Sequence, residues 1–186
     1  GLEWREMGQY RGLGNYNLEH AKALDELIGQ AQENNIYVQL VMEFHGALSS
    51  KVNPEWANNP YNVEQGGMLK KPSEFFTNDT AKELYKRRLR YIVSRWGYSP
   101  HVMAWEFFNE INFADDFKPE VEFAWTKEMS SWVKNYDPYQ HMLTTSYYDF
   151  YNKLTYELPT IDYMQYHAYN RKVWKTMSQV VDRFDR

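Results

Sequence analysis

His101-Val-Met-Ala-Trp-Glu-Phe-Phe-Asn-Glu-Ile-Asn-Phe113 is an apolar run interrupted by Glu106 and closed by Asn109 and Glu110. Apolar runs of this length are strands covered on both faces, as in parallel sheets. A carboxylate in such a strand loses its hydration, so Glu106 and Glu110 each need hydrogen-bonding partners or a task that uses a raised pKa. A salt bridge at the strand end would account for Glu110 alone. The ends of the other strands make it part of a set.

Working outward, Asn78 and Thr80 offer caps for a preceding helix that runs to about Trp96, where Gly97 and Pro100 stop it. Pro119 suits the first turn of a following helix that reaches about Lys134. Asn17 caps an earlier helix to about Asn34, with Leu18, Ala21, Leu24, Leu27, Ile28 and Ala31 as its apolar stripe. Three further strands are expected: Ile36 to His45, Met142 to Ser146, and Ile161 to Tyr169. A last helix over 172–185 would pack through Val173, Met177, Val180, Val181 and Phe184.

Strands alternating with helices, joined by short turns on entry and long aromatic stretches on exit, predict parallel βα units. The asymmetry favours a barrel, whose chemistry collects at the C-terminal strand ends. Those ends carry His45, Asn109 with Glu110, Ser146, and His167-Ala-Tyr169. A doubly wound nucleotide-binding sheet would need a glycine-rich phosphate loop after a strand, and the sequence has none. The stretch 46–79 is expected to be a long loop on the substrate side, and 1–16 an aromatic loop with Trp4, Tyr10 and Tyr16.

Composition narrows the partners. Aromatic residues make up 18% of the 186, a share that suits stacking on flat or sugar-like ligands as well as core packing. The net charge of -4 comes with dispersed Lys and Arg, which excludes a clustered nucleic-acid footprint. The basic run Lys86-Arg87-Arg88 is expected on a solvated helix face. There is no cysteine for a disulfide or thiolate site, no apolar stretch of membrane-spanning length, and no H-E-x-x-H spacing for a metal. No cofactor is expected. Glu43 and Glu106 are expected to be satisfied groups of the barrel interior, and His20, His101 and His141 structural.

The set Trp105-Glu-Phe-Phe-Asn109-Glu110, His45 and His167-Ala-Tyr169, with Asn59-Pro-Tyr61, Phe75-Phe76 and Arg95-Trp96-Gly97-Tyr98-Ser99-Pro100, resembles the retaining glycoside hydrolases of the (β/α)8-barrel clan. The likeness is closest to family five, the cellulases and mannanases. It implies that the chain is a portion of a TIM barrel, about strands three to six with their helices, with residues 1–16 as the loop after strand two. It also implies that Glu110 is the general acid/base and that Asn109 binds the sugar hydroxyl at C2. Tyr169 would bond the nucleophile, and His167 and His45 would line the same centre. Trp56, Tyr61, Trp4 and Tyr147 are candidates for stacking on sugar.

The resemblance further implies a carbohydrate substrate, a secreted, cell-surface or periplasmic protein, and a nucleophile Glu on strand seven, outside this sequence. Arg5 and Arg11 are not assigned to the family's strand-two arginine. The remainder of its own barrel is then the chain's expected partner, and this piece alone is expected to be inactive and poorly soluble. A carbohydrate-binding barrel without catalysis and a phosphate-handling barrel enzyme are the alternatives that the residues leave open.

Overall fold

The computed structural model describes residues 2–3, 12–149, 152–169 and 173–184. Its elements run α1 (Leu18–Glu33), β1 (Val38–Val41), α2 (Asp79–Trp96), β2 (Val102–Glu106), α3 (Pro119–Tyr136), β3 (Met142–Thr144), β4 (Ser146–Tyr148), α4 (Lys153–Tyr156), β5 (Gln165–His167) and α5 (Val173–Phe184). All strand pairs are parallel: β1 with β2, β2 with β3, and β4 with β5. β3 and β4 are one path broken at Thr145, whose first half bonds β2 and whose second half bonds β5. The four expected strands therefore lie side by side in chain order, as a portion of a TIM barrel.

The caps act where the residues place them. Asn17 Oδ1 accepts the N–H groups of Glu19 and His20, and Asn78 Oδ1 accepts that of Ala81. Pro119 opens α3. On α1 the buried face is narrower than the apolar stripe: Ala21, Ile28 and Ala31 are buried, whereas Leu18 and Leu27 face outward, beyond the reach of the neighbouring described elements.

The 46–79 stretch is less of a loop than its sequence suggests. It is a chain of 3-10 turns, His45–Leu48, Trp56–Asn58, Val63–Gln65 and Pro72–Phe76, held by side-chain amides. Asn59 donates to the Ala47 carbonyl at 2.6 Å and accepts from Tyr61 N at 2.9 Å, and Asn62 donates to the Trp56 carbonyl. Gly67 has to be glycine, because a Cβ there would lie 2.2 Å from the Tyr61 carbonyl.

Many of the aromatics are core. Trp125 lies 5.1 Å from Tyr85, 5.5 Å from Phe76 and 5.8 Å from Phe75, ring centre to ring centre. Tyr61 sits edge-on against Phe75 and Tyr147 is fully buried, so neither presents a face for sugar. Trp4, Tyr10, Arg5, Arg11, Phe150 and Tyr151 lie outside the described residues, as do the side chains of Val180 and Phe184. Val173 and Val181 of α5 are exposed. Along the outer edge of β1 a cleft of about 900 Å³ opens between α1 and α2, lined by Leu24, Leu40, Val41, Met42, Phe44 and Ile92.

Arg88 departs from the expected solvated face. It is 4% exposed and reaches under β1, donating to Glu43 Oε2 at 2.6 Å and to Glu3 Oε2 at 3.4 Å. A charge pattern cannot separate this arginine from Lys86 and Arg87; helical phase on the side of Tyr85, Leu89 and Ile92 can. Burial pushes the Glu3 carboxyl up while Arg88 pulls it down. Replacing Arg88 with Met strands two buried carboxylates, so denaturant melts should show a loss of about 3–5 kcal/mol, against about 0.5 kcal/mol or less for Arg87→Met. Equal, small losses for both would put Arg88 on the surface.

Candidate active site

The strand ends are locked before the site begins. His45 N donates to the Asn109 carbonyl, Asn109 N to the Glu43 carbonyl, and Ser146 N to the Phe108 carbonyl. Glu110 then turns the chain out of the strand in the left-handed region, φ 51° and ψ 48°, into the 3-10 turn Ile111–Phe113. A non-glycine residue there carries strain of order 1 kcal/mol. The Glu110 N–H is met by Ser146 Oγ at 2.9 Å, which fixes the turn.

The Glu110 carboxylate is 7% exposed and gathers the residues that the sequence singled out. Its Oε1 accepts from Tyr169 Oη at 2.6 Å and from His167 Nδ1 at 2.9 Å. Its Oε2 lies 3.5 Å from His45 Nδ1, whose other ring nitrogen accepts from Asn53 Nδ2 at 3.2 Å. His45 Nδ1 is buried beside the carboxylate without a hydrogen bond to it. The resemblance aims Tyr169 at a second carboxylate; in the structure Glu110 is the acceptor it meets.

Asn109 stands beside this group, its amide 3.4 Å from both Glu106 Oε1 and Ser146 Oγ. Trp56 is half-buried against the core, on a turn that touches the His45–Leu48 turn. Glu106 and Glu43 are interior groups, as expected: Glu106 accepts from Gln39 Nε2 and Ser146 Oγ, and Glu43 from Arg88.

Sequence reasoning passed over Asn53, Phe113 and Tyr148 at this place. Tyr148 stacks between Phe113 at 4.8 Å and Tyr169 at 5.6 Å, and Asn112 clamps its backbone through both amide atoms. Phe113 and Tyr148 are strand-end aromatics, which is a signal; Asn53 lies in the loop stretch and gave none. Among the described residues no three His, Cys, Asp or Glu side chains are arranged to hold a metal, and no helix is long and apolar enough to cross a membrane.

This arrangement can hold a proton at a rim open to solvent on the Tyr169 side. The bond to Glu110, and then burial, push the Tyr169 phenol up to about 12, since ionising it would set a phenolate against a carboxylate. The contact is therefore fully present below pH 10 and is lost as pH rises through 12. NMR titration of ring-labelled tyrosine should show this resonance moving near pH 12, and Glu110→Gln should bring it back towards 10. An unaltered titration in that variant would mean that the bond does not form.

No protein-family model matches the chain. Mannan endo-1,4-β-mannosidase 1 of Oryza sativa subsp. japonica is 30% identical over 148 residues, 74% of this chain and 33% of the relative. Mannan endo-1,4-β-mannosidase 1 of Arabidopsis thaliana is 29% identical over 150 residues, 75% of this chain and 34% of the relative. The chain thus spans about a third of the length of the curated relatives it matches. Among solved structures, the hyperthermostable endo-1,4-β-D-mannanase from Thermotoga petrophila RKU-1 superposes with a TM-score of 0.57 at 21% identity, over 86% of this chain and 50% of that one. That likeness concerns fold. By sequence the chain is a relative of the mannan endo-1,4-β-mannosidases, glycoside hydrolases of family five, and by fold a portion of their (β/α)8 barrel.

Proposed function

We propose that the protein to which this chain belongs is a retaining endo-acting β-glycoside hydrolase of mannan-type polysaccharide, with Glu110 as its acid/base. The observation that carries this reading is the Glu110 carboxylate at the C-terminal end of β2, bracketed by His167, Tyr169 and His45. The relatives by sequence are named as mannan endo-1,4-β-mannosidases, which supports the substrate class.

In the first step, Glu110 as the acid gives its proton to the glycosidic oxygen while a second carboxylate attacks the anomeric carbon and the bond to the leaving sugar breaks. In the second step, Glu110 as carboxylate takes a proton from water, whose oxygen attacks the same carbon and releases the second carboxylate. Retention needs the two carboxyl groups about 5 Å apart. Glu43 and Glu106 are engaged by Arg88 and by Gln39 with Ser146, so we assign the nucleophile to the rest of the barrel. Asn109 holds the hydroxyl at C2, His167, Tyr169 and His45 shape the centre, and Trp56 borders it. The apolar cleft along β1 is the seat we assign to the barrel's preceding strand, and residues 1–16 to the loop that leads from it.

Glu110→Gln in the full-length protein keeps shape and removes the acid. Hydrolysis of β-mannan should fall about a hundredfold or more, while binding persists. If the unaltered protein binds mannan and hydrolyses no β-glycan, a non-catalytic carbohydrate-binding barrel replaces this reading. Residues 1–186 alone should bind or associate without turnover, and measured turnover by that piece would contradict the assignment of the nucleophile.

A further inference from the structure

Glu106 lies beneath the proposed acid, 2% exposed, and the mechanism above gives it no part. Its surroundings are not those of an idle buried carboxylate. Gln39 of β1 donates to its Oε2 at 2.6 Å and also to Gln165 Oε1 of β5 at 3.0 Å. Tyr163 donates to the Gln39 side-chain carbonyl oxygen and so sets which end of that amide faces Glu106. On the other side Ser146 Oγ donates to Glu106 Oε1 at 2.7 Å.

A serine hydroxyl has one proton and two lone pairs. With its proton claimed by Glu106, Ser146 can only accept at its remaining face, where the Glu110 N–H lies at 2.9 Å and the Asn109 amide at a longer 3.4 Å. The donor that would otherwise be orphaned belongs to the residue in the strained left-handed conformation, from which the acid's side chain departs. A buried carboxylate on β2 thus fixes, through a hydroxyl on β4, the backbone angle from which the Glu110 carboxyl projects towards His167 and Tyr169. Displacement of a reacting group by about 1 Å costs about a hundredfold in rate.

We propose that Glu106 and Ser146 act together as positioning residues for the proton donor Glu110. The proposal rests on the acid/base reading of Glu110. Its test separates proton donation from general integrity by the leaving group: cleavage of a mannan oligosaccharide needs the acid, whereas an activated dinitrophenyl β-mannobioside departs without a proton. In the full-length protein, Glu106→Gln and Ser146→Ala should each lower kcat/KM on the oligosaccharide about tenfold or more, and change it by less than about threefold on the dinitrophenyl substrate. The double variant should be no worse than the poorer single one, since both act on one contact. Should Glu106→Gln fail to fold by circular dichroism, Ser146→Ala carries the test with the same two substrates.

Equal losses on both substrates, losses that multiply in the double variant, or no loss at all would overturn the positioning role. Glu110→Gln in parallel keeps the two claims apart. If it spares oligosaccharide cleavage, the acid/base reading fails and the proposal with it; if it is impaired while Ser146→Ala is normal, only the positioning role fails.

Discussion

The burial of carboxylates inside a parallel barrel governs this structure. A carboxylate removed from water is tolerated only where donors replace its hydration, and here each one draws those donors from a different neighbouring element. Glu43 on the β1 side is answered by Arg88 of α2, which ties helix to strand. Glu106 on β2 is answered by Gln39 of β1 and Ser146 of β4. Glu110 is answered by His167 of β5 and by Tyr169. Because these partners come from neighbouring elements, the relative heights of the strands are set by polar chemistry as well as by backbone pairing. Buried polar groups that are satisfied only in one arrangement favour that arrangement over slipped ones.

The two ends of the strands are used differently. Between α3 and the start of β3, Asp137 accepts from Trp105 Nε1 of β2 at 3.0 Å, from His141 Nδ1 at 2.6 Å and from the Tyr139 N–H. Burial opposes its charge, but these bonds hold its carboxyl below the usual range. This buried cluster joins strand to helix. At the exit end the same kinds of side chain stand at an open rim, where Tyr169 is 72% exposed beside the buried Glu110. Separating stability from the rim lets the chain carry a strained residue such as Glu110 while Asp137, beyond the end of α3, holds Trp105 of the same strand.

How much of this was legible in the sequence depends on whether the signal is local. Helices α1, α2 and α3 start where Asn17, Asn78 and Pro119 place them, because a cap is decided within one turn. The four strands were legible from apolar runs, and the site from their last residues: Glu110, His167, Tyr169, His45 and Asn109 do meet. What was not legible depends on contacts between elements distant in the chain. Arg88 looks like its basic neighbours until the partners Glu43 and Glu3 are brought to it. Tyr61 and Tyr147 look like loop aromatics open to a ligand until Phe75 and the core close over them. The break of one strand into β3 and β4 at Thr145 reflects a change of partner from β2 to β5, which no residue pattern announces.

The aim of Tyr169 bears on how the proposed acid is held. A phenol has one proton to donate, and here it goes to Glu110 Oε1 alongside that of His167. Two donors on one oxygen fix which way the carboxylate faces and leave Oε2 on the side of His45 Nδ1, 3.5 Å away. Under the acid/base reading proposed for Glu110, a second carboxylate facing it would compete for the Tyr169 hydroxyl, so the two carboxylates would share one donor.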